Sequence, residues 1–427
     1  MESSVNMSAQ NYKGTLIACN LAGFIQSATM NLSPFVFVPL MLLYGLSYTQ
    51  LGFLVLVNFA AQFGADLYFG WPVNKYGYKP FCIGSQLAIV VGLVLFACTP
   101  WIAPNHEMIM FSVGTVIFSA SAGLLEVLLS PITRSIPADD TEANFMIMHS
   151  SFAGGIFAAA LVTTVLLRVL GNEMWQFVIL LWALLPLYNT LRFAKVPMPK
   201  IALEHQRMKA AKLLVSPTFI VAFFAIFFGA ATELLIVQWG STYLEEGLGL
   251  SKTIGDVLGL CLFSAMLAAA RLIYAKKGAG LNLNSLMIWG SLACVVLYVV
   301  VAVAPTAWLV LVAFGLIGFC SSMLWTGTLI VAADTLPHTG ALIFALLAGG
   351  GDLGIAAIGQ LVGWLSDFFT ARAPSGGNAT HYGLQMAMFV AIAVPVLSLI
   401  CQFPLRRYAP HRAARAPVLF DEVGDQE

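Results

Sequence analysis

An uncharged apolar segment runs from Pro80 to Ala103 and reads PFCIGSQLAIVVGLVLFACTPWIA. A helix of this length spans the hydrocarbon core of a bilayer, which is roughly 30 Å thick, because each helical residue adds about 1.5 Å. The whole 427-residue chain has the same character, with 59% hydrophobic residues, 9% charged residues and a mean hydropathy of +0.88. Soluble domains carry roughly 25% charged residues. The chain is therefore predicted to be a membrane protein whose solvent is lipid.

Further segments of this kind follow one another along the chain, separated by charged residues and by clusters of Pro, Gly and Asn. We predict an all-α polytopic membrane protein with twelve transmembrane helices in two six-helix bundles. The predicted spans are residues 15–45, 49–72, 80–103, 108–133, 143–170, 174–195, 215–245, 250–275, 284–304, 307–333, 338–368 and 383–404. The predicted domains are an N-terminus at 1–14, a bundle at 15–195, a linker at 196–214, a second bundle at 215–404 and a tail at 405–427.

Positive charge is distributed unevenly between the two sides of the predicted bundle. Of the 20 Lys and Arg residues, all except Arg168, Lys252 and Arg372 fall on the side that carries the N-terminus. Cytoplasmic segments of membrane proteins are enriched in Lys and Arg. We therefore expect a multi-pass protein of the cell (plasma) membrane with both termini in the cytoplasm. The basic stretch EHQRMKAAK in the linker fits either a solvated connector or an amphipathic helix on the anionic leaflet.

Two short sequences recur in the same order in both halves. GLSYTQLG at Gly45–Gly52 opens the second span, and GLSKTIGD at Gly249–Asp256 opens the eighth. Similarly, HSSFAGG at His149–Gly155 begins the fifth span and FALLAGG at Phe344–Gly350 begins the eleventh. Many transporter folds are built from such repeats. These two pairs of similar sequences favour a parallel repeat of two six-helix units.

Glu126 and His149 are candidate proton-coupling residues. Glu126 lies well inside the fourth span, and Arg134 is the nearest basic residue along the helix. Burial away from water favours the protonated form of a carboxyl group, so Glu126 is either a proton site or a hydrogen-bonded structural residue. His149 enters the fifth span at a similar depth and could share the proton or the hydrogen bond.

The seventh span carries a polar and aromatic stripe. Glu233 lies at mid-depth, and Thr232, Trp239 and Tyr243 recur at i, i+7 and i+11 along one helix face. Aromatic faces pack on sugar rings while carboxyl and amide groups accept hydroxyl protons, so the stripe suits a hydroxylated ligand. Trp325 in the tenth span is expected to add another aromatic plate. The alternative is an aromatic belt at the membrane interface, which fits Tyr243 better than the two tryptophans.

Polar side chains also repeat along the first two spans and follow three glycines in the eleventh. They indicate a wet interior, although amides in membranes also serve as hydrogen-bond links between helices. The predicted substrate-binding residues are Asn20, Asn31, Asn58, Gln62, Glu233, Gln238, Trp239, Tyr243, Trp325 and Asp352.

The sequence lacks the signature motifs of several classes of function. The chain has no Walker A sequence, no HExxH and no GxSxG, so neither ATP-driven transport nor enzymatic hydrolysis is supported. Its seven cysteines lie in apolar stretches without a CxxC motif and are interpreted as small core residues. We expect no enzymatic activity, no cofactor, no metal site and no nucleic-acid partner.

Three motifs resemble those of the major facilitator superfamily, and within it they are similar to the fucose:proton symporter group of sugar permeases. GWPVNKYGYKP at Gly70–Pro80 resembles the superfamily's cytoplasmic loop between helices two and three, with Asn74 where that motif usually has Asp. LLEVLLSP at Leu124–Pro131 resembles the group's helix-four pattern, with Ser130 in place of Asn. GAATELLIVQWGSTY at Gly229–Tyr243 resembles its helix-seven pattern.

The resemblance implies roles for individual residues. Glu126 matches the group's coupling carboxylate and Glu233 its substrate-cavity acid. The group also uses an acidic residue in helix one, and this sequence has none between Lys13 and Asp66. Arg271 and Asp334 fall at predicted cytoplasmic helix ends, where they are expected to act as gates or as tethers between the halves. The predicted gating residues are Gly70, Asn74, Lys75, Gly77, Lys79, Arg271 and Asp334.

Together these features predict a monomeric secondary transporter that works by alternating access between its two bundles. Its expected partners are a small polar solute, sugar-like by preference, together with protons and the lipid bilayer. One alternative is an exporter of amphipathic compounds or drugs, which would favour a larger apolar cavity. A second is a non-transporting membrane sensor, for which a longer partner-binding tail would be expected.

Overall fold

The computed structural model describes residues 2–46, 48–137, 141–199, 210–278, 281–304, 306–336, 339, 341–374 and 378–408. The described chain is helical, and these ranges contain no strand. In lipid, backbone N–H and C=O groups find no water, so a spanning segment must satisfy them within a helix. Most of the predicted linker and tail, at residues 200–209 and 409–427, falls outside the described ranges.

The first half contains six helical units. They are α1 (Glu2–Met30, continued by Leu32–Phe35 and Phe37–Tyr44), α2 (Tyr48–Tyr76), α3 (Tyr78–Ile102), α4 (Glu107–Ser135), α5 (Thr141–Leu170) and α6 (Trp175–Trp182 and Leu184–Lys195). Helix α1 begins well before the predicted span at residue 15, because no Pro or Gly interrupts the sequence between Glu2 and Lys13.

The second half repeats this arrangement after a short helix at Ala210–Leu214. Its units are α7 (Pro217–Thr242, ending in a π-helical turn at Tyr243–Gly247), α8 (Lys252–Ile254, a π-helical turn at Gly255–Leu260, and Cys261–Lys277), α9 (Leu283–Val303), α10 (Ala307–Thr335), α11 (Ala341–Thr370) and α12 (Ala379–Ala391 and Ala393–Tyr408).

The number of helices fits the predicted membrane fold. In the described chain, ten helices are long and apolar enough to cross a membrane, and Phe53–Phe69 within α2 forms a shorter apolar segment. With α1 they make the twelve-helix fold expected from the sequence. Large apolar side chains such as Val169, Trp289 and Trp308 are exposed on the outside, where lipid would cover them.

Helix α1 breaks at Asn31, and the cause lies three residues further on. Pro34 lacks a backbone N–H, and its ring clashes with the carbonyl of Met30 four residues earlier. That carbonyl accepts a hydrogen bond from Asn58 Nδ2 on α2 at 3.0 Å instead. The broken helix therefore keeps its polar backbone satisfied through a neighbouring side chain.

Four side-chain contacts gather helix ends at one end of the bundle, which we call the terminal end. Within the first half, Thr15 Oγ1 donates to the Pro197 carbonyl at 2.6 Å, and Lys79 Nζ donates to the Val196 carbonyl at 2.9 Å. Between the halves, Arg134 pairs with Asp334 at 2.9 Å and Tyr274 donates to Glu142 at 2.8 Å. The terminal end is therefore closed by contacts between the two halves.

The two halves meet through two related helix pairs. Helix α2 packs against α11, and α8 packs against α5, so each pair joins the second helix of one half to the fifth helix of the other. The two glycine-containing repeats, HSSFAGG and FALLAGG, lie at equivalent positions on α5 and α11. A Cβ on Gly155 would collide with the Phe24 backbone on α1, and a Cβ on Gly350 would stand 2.7 Å from the Phe223 ring on α7. Both glycines let the fifth helix approach the first helix of its own half.

Candidate functional site

A cavity of about 480 Å³ lies between the two halves. Helices α1, α4 and α5 of the first half and α7, α8, α10 and α11 of the second contribute to its wall. The lining residues are Gln26, Met30, Glu126, Leu129, Ser130, Met148, His149, Phe152, Glu233, Leu234, Arg271, Trp325 and Asp352. The wall mixes apolar and polar groups, as small-molecule sites do.

Arg271 is the basic anchor of the cavity wall and is only 1% exposed. Its Nη2 donates to Glu233 Oε1 at 2.7 Å, its Nη1 donates to the His149 carbonyl at 3.0 Å, and its Nε donates to the Ser322 carbonyl at 3.1 Å. The planar guanidinium presents several donors in a fixed fork, so one side chain can join three helices. Arg271 thus links α8 to α7 and α10 in its own half and to α5 in the other half.

The predicted proton-coupling residues both line the cavity. Gln26 Nε2 on α1 donates to Glu126 Oε2 at 3.0 Å, which leaves the second carboxyl oxygen available to the cavity. His149 packs against the ring of Phe145 with ring centres 4.4 Å apart, and its Nε2 has no hydrogen-bond partner among the described residues. Both groups can therefore exchange hydrogen bonds or a proton with a bound solute.

Three predicted substrate-binding residues also line the cavity, namely Glu233, Trp325 and Asp352. Within the described chain, Glu233 Oε2 and both carboxyl oxygens of Asp352 are buried without a hydrogen-bond partner. Trp325 packs edge-on against Gly351, where any side chain would collide with the indole ring. The cavity wall therefore combines hydrogen-bonding carboxyl oxygens with the indole ring of Trp325.

The predicted amides of the first two spans lie away from the cavity lining. Asn58 Oδ1 accepts from Ser119 Oγ at 2.5 Å and from Gln62 Nε2 at 3.1 Å, while Asn31 Nδ2 donates to the Ser27 carbonyl at 2.8 Å. The Asn58–Ser119 bond joins α2 to α4, and the bond from Asn58 to the Met30 carbonyl joins α2 to α1, which is the helix-linking arrangement that the sequence left open. Asn20 is half-buried on α1 and also lies outside the lining.

The other residues of the α7 stripe are likewise engaged elsewhere. Trp239 Nε1 donates to the Gly359 carbonyl on α11 at 3.0 Å, and its ring rests on Gly363 of the same helix. Tyr243 is fully buried and donates to the Val301 carbonyl on α9 at 2.9 Å. Gln238 is half-buried and outside the lining. The stripe thus packs the second half together, and Trp325 is the aromatic residue of the predicted set that lines the cavity.

The predicted gating residues lie at the terminal end, except for Arg271. Gly70 and Asn74 fall in the last two turns of α2, and the surroundings of both positions lie outside the described part of the structure. Lys75 Nζ lies 5.1 Å from the centre of the Tyr76 ring. Gly77 joins α2 to α3 with a φ of 83°, a conformation that glycine adopts without strain. Beyond it, Lys79 is bonded to the end of α6, as described above.

Several lining residues were not predicted. Gln26 lies on α1 between Asn20 and Asn31 but off the helix face that those two residues share. An amide side chain in an apolar helix is a feature by which Gln26 could have been predicted as a site residue. Ser130 belongs to the helix-four motif LLEVLLSP and is not among the predicted site residues. The apolar lining residues Met30, Leu129, Met148, Phe152 and Leu234 carry no sequence signal that separates them from ordinary core residues.

Comparisons with known proteins agree on one fold. The sequence model of the Major Facilitator Superfamily matches residues 19–281. The E. coli fucose:proton symporter FucP superposes with a TM-score of 0.70 at 14% identity, over 94% of this chain and 100% of that one. The proton:xylose symporter XylE superposes with a TM-score of 0.75 at 13% identity, over 93% and 96%. A bacterial homologue of the human lysosomal transporter Spinster gives 0.66 at 15% identity, over 93% and 97%. The comparison with curated proteins gives no match.

Proposed function

Since the chain belongs to the Major Facilitator Superfamily, we propose that it moves a small, sugar-like polar solute across the membrane together with protons, by alternating access. The observation that carries the proposal is the central cavity, whose wall contains titratable and polar groups from both halves. Such a site is reached alternately from either side when two bundles rock about it. The fold of two sugar:proton symporters supports the same class of cargo.

The chemistry of the wall suits a polyhydroxylated solute. Hydroxyl groups of the solute would donate to the free oxygens of Glu233 and Asp352 and exchange a hydrogen bond with His149 Nε2. The indole of Trp325 offers an apolar face on which a sugar ring can pack. An amphipathic drug would leave these buried polar atoms unpaired, which costs about 1–3 kcal/mol for each group.

Glu126 is the proposed proton carrier, with His149 as its neighbour in the cavity wall. The hydrogen bond from Gln26 stabilises the ionised carboxylate, and the second oxygen is open to a proton or to the solute. We propose that the carrier acts as a monomer in the cell membrane, with two six-helix domains and with its terminal end in the cytoplasm. On that orientation the contacts of Arg134 and Tyr274 close the cytoplasmic side.

A ligand screen tests the cargo directly. Purified protein would be heated with sugars, sugar acids, amino acids, nucleosides and lipophilic cations, because a ligand at 100 times its Kd stabilises the folded state by about 2.7 kcal/mol. We expect a neutral sugar to raise the melting temperature. The shift should disappear in Trp325→Ala and Glu233→Gln and persist in Gln238→Ala, which alters a half-buried residue outside the lining. Stabilisation by lipophilic cations alone would contradict the proposal.

Proton coupling is tested by uptake into proteoliposomes with an imposed pH gradient. We expect Glu126→Gln to lose solute accumulation against a gradient while it retains exchange of labelled for unlabelled solute. Exchange requires alternating access of the loaded carrier but no net proton movement. If Glu126→Gln accumulates solute with the native pH dependence, Glu126 has no part in coupling.

A further inference from the structure

Asp66 and Asp352 lie on the two helices that meet at the α2–α11 contact between the halves. Asp66 lies on α2 of the first half and Asp352 on α11 of the second, and their side chains are 0% and 1% exposed. The two helices approach closely at Gly349, where a Cβ would stand 3.1 Å from the Phe63 ring and 3.6 Å from the Asp66 Cβ. The cargo cavity includes Asp352 but not Asp66 in its lining.

Both carboxyl groups are buried without a compensating donor. Within the described chain, none of their four oxygens has a hydrogen-bond partner. The two groups act on each other electrostatically, and Glu126 of α4 acts on both. The buried cation of the cavity wall, Arg271, is paired with Glu233.

The remaining charged groups on the packed helices do not change this balance. Asp334, on α10 beside α11, is paired with Arg134 of α4 at the terminal end. His149 of α5 lines the cavity, and its Nε2 carries no hydrogen bond from the described residues. The neighbourhood of Asp66 and Asp352 is therefore acidic.

Two ionised carboxylates cannot be buried side by side without a large electrostatic cost, and one shared proton removes it. A protonated carboxyl becomes a hydrogen-bond donor, which is what this cluster lacks. Acceptors are present in excess. Gln62, one turn before Asp66 on α2, is fully buried, and its Oε1 has no partner within the described residues. Buried acceptors without donors on Gln62, Asp66 and Asp352 point to a proton as the missing component.

We infer that Asp66 and Asp352 bind a shared proton that holds α2 against α11 and so closes the terminal end of the carrier. When the halves separate at this end, water reaches both carboxyl groups and the proton is released there. The inference rests on the proposed alternating access but not on the identity of the cargo. It adds a proton site outside the Gln26–Glu126 pair, and Asp352 connects that site to the cavity.

Pulsed EPR distances between the halves test this inference. Spin labels would replace Tyr76 at the end of α2 and Val215 just before α7, which are 62% and 72% exposed. The three half-buried cysteines, Cys98, Cys320 and Cys401, would be changed to Ser in the full chain, reconstituted in nanodiscs. Spectra would be recorded between about pH 5 and pH 9, a range that spans the titration of shifted carboxyl groups.

We expect the short-distance population, which represents the closed terminal end, to grow at least threefold as the pH falls. In Asp66→Asn the amide donates to Asp352 without a proton, so this population should be high at every pH. Asp352→Asn should behave in the same way and serves if the first variant does not fold. The matched control is Glu173→Gln, the same chemical change at an exposed position, which should keep the native response.

The possible outcomes separate this inference from the proposed function. If Asp66→Asn and Asp352→Asn keep the native pH response, the shared proton is ruled out. If the unmodified pair shows two distances whose proportions ignore pH but respond to cargo, alternating access stands and the proton site is wrong. If one distance persists at every pH, with and without each sugar that stabilises the protein, alternating access itself is contradicted.

Discussion

The two related contacts between the halves, α5 with α8 and α2 with α11, are built from opposite chemistry. At the first, Arg271 donates to the His149 carbonyl and Tyr274 donates to Glu142, so each buried donor meets an acceptor. At the second, the buried carboxyl oxygens of Asp66 and Asp352 have no donor among the described residues. The first contact is complete with the protein's own groups. The second contact lacks a hydrogen-bond donor, which a proton that binds and dissociates would supply.

This difference shows how a repeated fold can give its two related contacts separate tasks. A contact that is satisfied internally favours one arrangement under all conditions. A contact that is satisfied only when protonated favours closure under some conditions and opening under others. The α5–α8 pair thus favours the closed terminal end at every pH, and under the proposed mechanism the α2–α11 pair would be the contact that responds to protons.

The largest expected effect comes from breaking the satisfied contact. Arg271→Met leaves the Glu233 carboxylate buried without its cation and removes the link to α5, and such losses cost about 3–5 kcal/mol. We expect a large fall in the melting temperature of the purified protein. The double variant with Glu233→Leu removes both charges and should recover most of the loss. Equal instability of the single and double variants would show that the pair itself contributes little.

A smaller effect is expected from crowding the proton-dependent contact. Gly349→Ala places a methyl group 3.1 Å from Phe63, which forces a small displacement of α2 from α11. The expected cost is about 1 kcal/mol, measured by thermal unfolding. The control is Gly154→Ala at the matching place on α5, where the new Cβ would lie 3.7 Å from Phe24 in ordinary contact. If both variants lose the same stability, the closeness of α2 and α11 is not specific.

The smallest effect should follow from removing one hydroxyl at the satisfied contact. Tyr274→Phe deletes the donor to Glu142 and keeps the ring, so we expect a loss of about 0.5–1 kcal/mol in favour of the open terminal end. Inter-half distances between spin labels would show a modest rise in the open population at every pH. A change that appears only at low pH would place Tyr274 in the proton response and weaken the distinction between the two contacts.

The fold could be predicted almost entirely from the sequence, because lipid imposes a simple rule on length and polarity. Uncharged runs of the length of Pro80–Ala103 can only be helices in a membrane, and the helix count follows from them. The break in α1 was not predicted. Pro34 was visible, but whether a proline interrupts a membrane helix depends on a neighbour that can bind the freed carbonyl, here Asn58.

The candidate site was predictable at positions where burying a carboxyl group in an apolar helix costs too much free energy to be incidental. Glu126, Glu233 and Asp352 stand out as carboxyl groups inside apolar helices, and the structure brings all three to the cavity wall. Amides give a weaker signal, since Asn58 and Gln62 bind each other on one helix and remain outside the lining. A sequence shows that a group is polar but does not show which acceptor it finds.

Arg271 illustrates a second limit of the sequence. It lies six residues before the end of α8 at Lys277 and was therefore placed at the gate. Its long side chain instead reaches inward to the cavity, where three acceptors from three helices meet. The direction taken by a long flexible side chain depends on tertiary contacts, and no pattern along α8 encodes it.

The bond from Arg271 to α5 ends on a main-chain oxygen of His149 and not on its imidazole. Every amino acid carries that oxygen, so the joint between the halves survives any replacement at position 149 that keeps the helix intact. Under the proposed function the imidazole is the part of His149 that meets the solute and the proton, and its replacement would leave the bond to Arg271 in place. Contact with the cavity and the link between the halves thus use different atoms of one residue.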